Sequence, residues 1–274
     1  MNLRNTILTL LFLSCSLSQI YSQNAELDLL LEMDIERLLE TKITSATKFE
    51  QKLSEAVATV RVVTANEIKE RGYQSLEDVL SDQPGFQFRN IQGFNSYIFQ
   101  RGIPNQNNLM LVMIDGVLVN ELNSGGFYGG SQYLLGNIEQ VEIIYGPASA
   151  LYGTNAVSGV VNLITKKAED HPGFDISVGM GSYNTALTEA RYAMYDEASR
   201  TGFNLAARYF TTDKRPLGGA AGDYNWTDEM DNFEKDFAVD LSASHKNLFF
   251  GFNLMNKKAS RATNYKTTTS DFSD

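Results

Sequence analysis

Oxygen ligands are the most concentrated chemistry in this chain. Asp223, Asp228, Glu229, Asp231 and Glu234 fall in one acidic, glycine-containing stretch, residues 212–234. Carboxylates gathered on a surface loop are hard-cation ligands, so Asp223, Asp228 and Asp231 form a weak calcium candidate beside the plainer reading of a solvated acidic loop. The two histidines, His171 and His245, lie far apart, and the single cysteine, Cys15, sits in an N-terminal apolar stretch. A His/Cys metal cluster and a histidine-based triad are therefore excluded. No G-x-x-x-x-G-K phosphate loop occurs, and Gly179-Met180-Gly181 reads as the approach to a hairpin rather than a nucleotide fingerprint. No cofactor is implied, and the chain is not read as an enzyme.

The residues that remain must bind rather than react, and the elements around them say where. Arg4 is the only charge before Glu26, and an apolar run from Ile7 to Leu13 ends in small and polar residues up to Gln23. That is a secretory signal, residues 1–22, too short to span a bilayer as a helix. Cys15 matches a lipid-attachment site poorly. With it removed, the exported chain forms no internal disulfide and relies on burial. A net charge of −10 and a pI near 4.8 argue against nucleic-acid binding, which needs a basic face. No later segment has the long apolar run of a membrane helix, so any spanning structure must be a barrel.

Residues 26–40 place Leu27, Leu31, Ile35 and Leu38 about a turn apart among acidic residues, a short amphipathic helix. Residues 41–52 are polar, without a core-building period, and read as an extended tether. From residue 54 to 167 short strands and helices alternate in a compact α/β domain. Thr64 to Glu67 is a capping box that starts a helix ending at Gly72, and Ser75 with Asp78 repeats the device before Pro84. Strands are expected at 60–63, 86–88, 97–100, 109–114, 117–119, 141–145 and 160–165. Asp115-Gly116 is a tight hairpin turn, and a short helix covers 149–152.

Past Pro172-Gly173 the period becomes two. Phe174, Ile176, Val178 and Met180 alternate with Asp175, Ser177, Gly179 and Gly181, and further strands follow near 185–195, 201–211, 235–245 and 247–257. Their connections are uneven: short at 182–184 and 196–200, long at 212–234. Membrane barrels alternate short periplasmic turns with longer external loops, which puts 212–234 outside the cell. Membrane barrels start at about eight strands, so residues 172–274 are expected to be only the N-terminal part of one.

Two strings in the α/β domain then carry a family resemblance. Residues 99–119, FQRGIPNQNNLMLVMIDGVLV, and 138–164, IEQVEIIYGPASALYGTNAVSGVVNLI, resemble the plug domain of TonB-dependent outer-membrane receptors, with the match running from about Lys42 to Lys167. The resemblance implies a bacterial outer-membrane barrel of about twenty-two strands with this domain inside its lumen. It implies import of a scarce nutrient, a siderophore-bound metal first among the choices, with force supplied through a TonB-type energy-transducing protein that spans the periplasm. The segment before the plug, Lys42, Ile43, Thr44, Ser45, Ala46 and Thr47, matches the partner contact, and an extended β-branched peptide can add a strand to a partner's sheet. Arg101 matches an arginine that ties plug to barrel wall through carboxylates. A second such arginine is Tyr145 here, which puts the paired network in doubt.

The same resemblance makes Asp115, Gly116, Gly146, Pro147, Tyr152 and Gly153 architectural. It turns the loops 90–96 and 120–132 outward, with Asn95, Phe127 and Tyr128 facing the ligand. Phe127 and Tyr128, held in Gly125-Gly126-Phe127-Tyr128-Gly129-Gly130, are expected to be exposed aromatics suited to a flat or apolar ligand. Cobalamin, haem or a glycan remain open as cargo. A signalling receptor, which in this family needs a folded domain before the plug, and a barrel enzyme or adhesin are the rival classes.

Overall fold

The computed structural model describes residues 42–43, 45, 51–52, 54, 58–92, 95–102, 109–214 and 233–260. The chain divides into Met1–Val57 and Ala58–Asp274. In the first unit β1 (Lys42–Ile43) pairs antiparallel with β2 (Gln51–Lys52), Ile43 opposite Gln51. The segment expected to be an extended tether thus contributes two short paired strands, and Ile43 and Ser45 are buried. The signal segment, the 26–40 helix, Thr44, Ala46 and Thr47 lie outside the described residues.

In the second unit β3 (Thr59–Thr64) leads into α1 (Ala65–Arg71). Thr64 Oγ1 accepts from the Glu67 backbone N–H at 3.2 Å, and the chain leaves the helix through Gly72 in left-handed geometry. Glu67's own carboxylate is turned to Arg61 at 3.2 Å and Arg71 at 3.5 Å instead of closing the box. At α2 (Leu76–Ser81) the box is complete, with Ser75 Oγ accepting from Asp78 N and Asp78 accepting from Ser75 N.

Next come the hairpin β4 (Phe86–Gln92) and β5 (Asn95–Gln100), then β6 (Met110–Ile114), β7 (Val117–Leu118), β8 (Ile138–Tyr145), α3 (Ser149–Tyr152) and β9 (Gly159–Thr165). The sheet order is β3-β8-β9-β6-β7, with β6 parallel to β9 and the other pairs antiparallel; β4 and β5 form a separate ladder. One face of the sheet buries Val63, Val112, Val141, Ile143 and Val161 beneath Ile68, Leu76, Val79 and Leu80 of the helices. The other packs Leu111, Ile144 and Val160 with Ala148 and Ala156 around α3. Alternate residues of β8 therefore serve two cores, as its pleat requires.

The second sheet runs in sequence order: β10 (Gly173–Gly181), β11 (Thr185–Asp196), β12 (Thr201–Thr212), β13 (Glu234–His245) and β14 (Leu248–Ala259), all antiparallel. Its register sorts residue types across the whole width. Phe174, Tyr192, Leu205, Leu241 and Phe252 lie opposite one another in one row, on the face turned away from the α/β domain. One residue along, Asp175, Arg191, Ala206, Asp240 and Asn253 form the next row, on the opposite face. The first face is apolar and exposed, with Phe174, Ile176, Val178, Phe250 and Phe252 among its uncovered side chains. The second is polar and is buried across β11–β13, at Arg191, Asn204, Arg208, Asp236 and Asp240. That is the reverse of a water-soluble sheet and fits a wall with lipid outside. No helix among the described residues is long and apolar enough to cross a membrane.

Candidate functional site

The polar face of the wall meets the α/β domain along one segment. Residues 127–138 run beside β13 from the long-loop end inward. Ser131 N donates to Glu234 Oε1 at 3.3 Å, Leu134 packs on Ala206 and Ala238, and Asn137 Nδ2 donates to Asp240 Oδ1 at 3.1 Å. Asn137 is a junction: its Oδ1 accepts from Arg191 Nε at 3.1 Å and Asn204 Nδ2 at 3.2 Å. Asp240 in turn accepts from Asn253. Gly136 lets the backbone approach the wall, since a Cβ there would lie 2.8 Å from a Glu189 carboxylate oxygen.

Two wall arginines reach into this junction and its neighbour. Arg191 pairs with Asp175 at 3.2 Å, and Arg208, 2% exposed, pairs with Glu189 at 2.6 Å. Arg208 also donates from Nη2 to the Gln74 carbonyl, in the turn between α1 and α2. The N-terminus of α2 is tied to the same segment, Glu77 N donating to Gly129 O at 2.6 Å. Near the outer end Lys257 bridges Glu234 and Asp236, and Lys214 pairs with Glu234 at 2.6 Å. Glu234 is therefore a wall residue matched by lysines, which corrects its place in the acidic patch; Asp223, Asp228 and Asp231 lie outside the described residues.

Among the described residues no group of three or more His, Cys, Asp or Glu side chains could hold a metal ion. Beside the apolar packing of Leu134 on Ala206 and Ala238, the seam contacts are hydrogen bonds and ion pairs, which water can replace at small net cost once it reaches the groups. On the domain side Lys166, which donates to Gly136 O at 2.9 Å, is held below the usual lysine value chiefly by desolvation.

Residues 52–160 match the family model described as the TonB-dependent receptor plug domain. Through this domain the chain is similar to TonB-dependent receptors. A vitamin B12 transporter of Vibrio vulnificus is 36% identical over 156 residues, 56% of this chain and 25% of that protein's length. The chain thus spans about a quarter of that relative. Among solved structures, the ferripyoverdine receptor of the Pseudomonas aeruginosa outer membrane is similar over 79% of this chain and 27% of its own, with 17% identity and a TM-score of 0.61. The closed form of the ferric-catecholate import receptor Fiu of E. coli K12 is similar over 80% and 29%, with 22% identity and a TM-score of 0.59. These two show the fold: an α/β plug against antiparallel barrel strands.

Within the plug the expected site residues fall as follows. Asp115 and Gly116 form the β6–β7 turn with φ of +48° and +80°, and Asp115 also accepts from Thr165 N and Oγ1, fastening the turn to β9. Gly146, with Pro147 after it, leaves β8 at φ +101° with its N–H on Ser158 O. Gly153 stops α3, and Tyr152 packs against the second core. Asn95 is in β5, paired with Gln92, so the expected 90–96 loop is a hairpin. Phe127 is corrected: it is 3% exposed, part of the main core, because the glycines around it let the loop turn the ring inward. Tyr128 is half-buried, and its carbonyl accepts from Gln132 Nε2 at 2.6 Å.

Arg101 does not meet a carboxylate among the described residues. Its guanidinium lies 5.2 Å over the ring of Tyr145, the residue standing where a second arginine was expected. The charged ties to the described wall run the other way, from Arg191 and Arg208 of the wall to acceptors on the plug. Sequence reasoning missed them. Their signal was present: Glu189, Arg191, Arg208, Asp236 and Asp240 are charges on the non-lipid face of alternating strands, and such positions need partners.

Proposed function

We propose that the receptor imports a scarce nutrient, a siderophore-bound metal, across the outer membrane, with force from a TonB-type energy-transducing protein. The observation that carries this reading is the seam: the plug is held to the wall by separable polar ties around Asn137 and Arg208, not by one continuous apolar core. A plug held this way can shift under a pull while its own core stays intact.

The pull enters at Lys42, Ile43, Thr44, Ser45, Ala46 and Thr47, where β1 must part from β2 to add a strand to the partner. Domain limits of 1–22 for the signal, 23–53 for the periplasmic segment, 54–167 for the plug and 172–274 for barrel strands follow from this reading. Arg101 stays assigned to a further wall contact, and Asn95 and Tyr128 to the outward, ligand-facing side. Deleting residues 42–47 in the full receptor should abolish uptake of a ferric siderophore by iron-starved cells while surface binding persists. Unchanged uptake would end the energy-coupled reading.

Cobalamin is the second reading, favoured by the 36% identity to a vitamin B12 transporter. Cells expressing the full receptor would be offered labelled cobalamin and a labelled ferric siderophore in parallel. Accumulation of cobalamin alone would replace the siderophore assignment and leave the transport mechanism standing.

A further inference from the structure

The apolar face of the wall carries charge only at its two ends. Among the positions of β10–β14 that share the face of Leu205, the ionisable groups outside the tyrosines are Asp196 and His245 at the short-turn end and Lys235 and Lys258 at the long-loop end. Nearly a full strand separates the two sets. From Lys235 to His245 is ten positions of β13, about 34 Å along an antiparallel strand, and a tilt of roughly 40° reduces that to about 25 Å in height. A membrane barrel has an apolar band of about that height. The two lysines therefore stand level with the lipid headgroups on the long-loop side, with Asp196 and His245 level with those on the other.

The register sets the lysines side by side. Lys235 and Lys258 are both exposed and directly opposite one another across β13 and β14, which puts their Cβ atoms about 5 Å apart. Their row continues through Thr211, Ala186 and Met180, and the row beneath it holds Asn256, Phe237, Tyr209, Thr188 and Val178, so neither row contains a carboxylate. The inward face at the same level is arranged otherwise: Lys257 bridges Glu234 and Asp236, and Lys214 pairs with Glu234. The wall thus matches its inward lysines with acids of its own and juxtaposes its outward pair. Like charges directly opposite repel, and a phosphate between two ammonium groups accepts charge-assisted hydrogen bonds from both. Lys235 Nζ lies 5.7 Å over the ring of Phe233, two residues nearer the loop, so its ammonium is turned out of the apolar band towards the headgroup level. Tyr209 and Phe237, both exposed, lie just beneath as the aromatic rim of the band.

We propose that Lys235 and Lys258 form a binding site for the phosphate of an anionic lipid headgroup in the leaflet on the long-loop side, with the acyl chains running down over Phe237 and Leu254. The site rests on the reading of β10–β14 as barrel strands with lipid against this face. It is independent of which nutrient is carried and of the energy-coupled reading.

Lipid-selective fluorescence quenching in the full-length receptor tests it, with the receptor reconstituted in vesicles of phosphatidylcholine and phosphatidylglycerol in equal parts. Tyr209→Trp reports the lipid beside the lysines and Leu205→Trp the lipid at the middle of the band, each read against the receptor without the added tryptophan. With bromine on the acyl chains of one lipid at a time, the preference for phosphatidylglycerol over phosphatidylcholine should be about tenfold at position 209 and absent at 205. Lys235→Gln combined with Lys258→Gln should bring the preference at 209 down to that at 205. An unchanged preference in that double variant overturns the proposal, as does a parent receptor with no greater preference at 209 than at 205. Millimolar inorganic phosphate should leave the preference in place; if it abolishes it, the pair is a site for free phosphate and the lipid assignment is overturned. Absence of quenching at both positions by both lipids would be a different failure, that of the lipid-facing reading itself.

Discussion

The plug sheet and the wall sheet each have five strands, and they use them in opposite ways. The plug sheet is out of sequence order, contains one parallel pair, and buries apolar residues on both faces under helices, a hairpin and a loop segment. The wall sheet follows sequence order, exposes its aromatics and aliphatics, and buries its charges. The difference lies in the solvent beyond each face. Where water lies outside, apolar groups leave it and the core is a volume; where lipid lies outside, the polar groups are the ones that must find one another. The seam is where the two rules meet: the wall's buried arginines pair with wall carboxylates, Arg191 with Asp175 and Arg208 with Glu189, and extend to acceptors on the plug.

The largest break in that comparison should come from Arg208→Ala. It strips Glu189 of its 2.6 Å partner and frees the Gln74 carbonyl in a buried setting, a loss of about 3 to 5 kcal/mol in thermal or denaturant unfolding of the receptor. Arg208→Met should cost clearly less only if Glu189 is removed with it, and a double-mutant cycle would measure the coupling. Loss of plug seating should also show as leakage of large antibiotics into cells without added ligand.

A smaller effect should follow on the other side of the same strand. Leu205 faces lipid in the row with Tyr192 and Leu241, so Leu205→Arg should destabilise the barrel by about 2 to 4 kcal/mol in a bilayer folding assay. If Leu205→Arg were harmless while a polar residue at Ala206 were not, the two faces would have to be exchanged. Within the plug, Ser75→Ala removes the side-chain half of the α2 capping box and should lower stability by about 1 kcal/mol.

The smallest expected effect is a pH dependence at Tyr73. Burial, with its hydrogen bond to Asp82, pushes its hydroxyl up to about 12 from an ordinary 10. The protonated form is favoured in the fold, so its contribution is complete below pH 10 and is lost as pH rises through 12. Tyr73→Phe should flatten the alkaline limb of the stability profile in that window. An unchanged limb would place the loss in other tyrosines, such as the buried Tyr133, whose hydroxyl is also raised by burial.

The wall was almost fully legible in the sequence, within a residue or two at each strand end, because lipid on one face and polar contacts on the other impose a period of two that nothing local obscures. The helix starts at Thr64 and Ser75 were legible for a similar reason: caps are local hydrogen bonds. Phe127 was not. An aromatic between glycines has the same sequence whether its ring turns to solvent or to the core, and the outcome depends on Leu76, Leu135 and Val63, residues remote in the chain. The plug neighbour of Arg101 was not legible for a related reason, since the Tyr145 ring lies forty-odd positions on and comes beside it only through the fold.

The sequence by itself determined the change from mixed elements to alternating strands after Pro172, the two unlike faces of the wall, and the strings that match the plug family model. Each is written in short-range periodicity or in a contiguous string. Only the tertiary structure decided the strand order β3-β8-β9-β6-β7, the inward turn of Phe127, and the direction of the charged ties, from Arg191 and Arg208 of the wall to Asn137 and Gln74 of the plug. Those rest on which distant polar groups become neighbours once water is excluded, and a buried charge is satisfied by what is near it in space, whatever its distance along the chain.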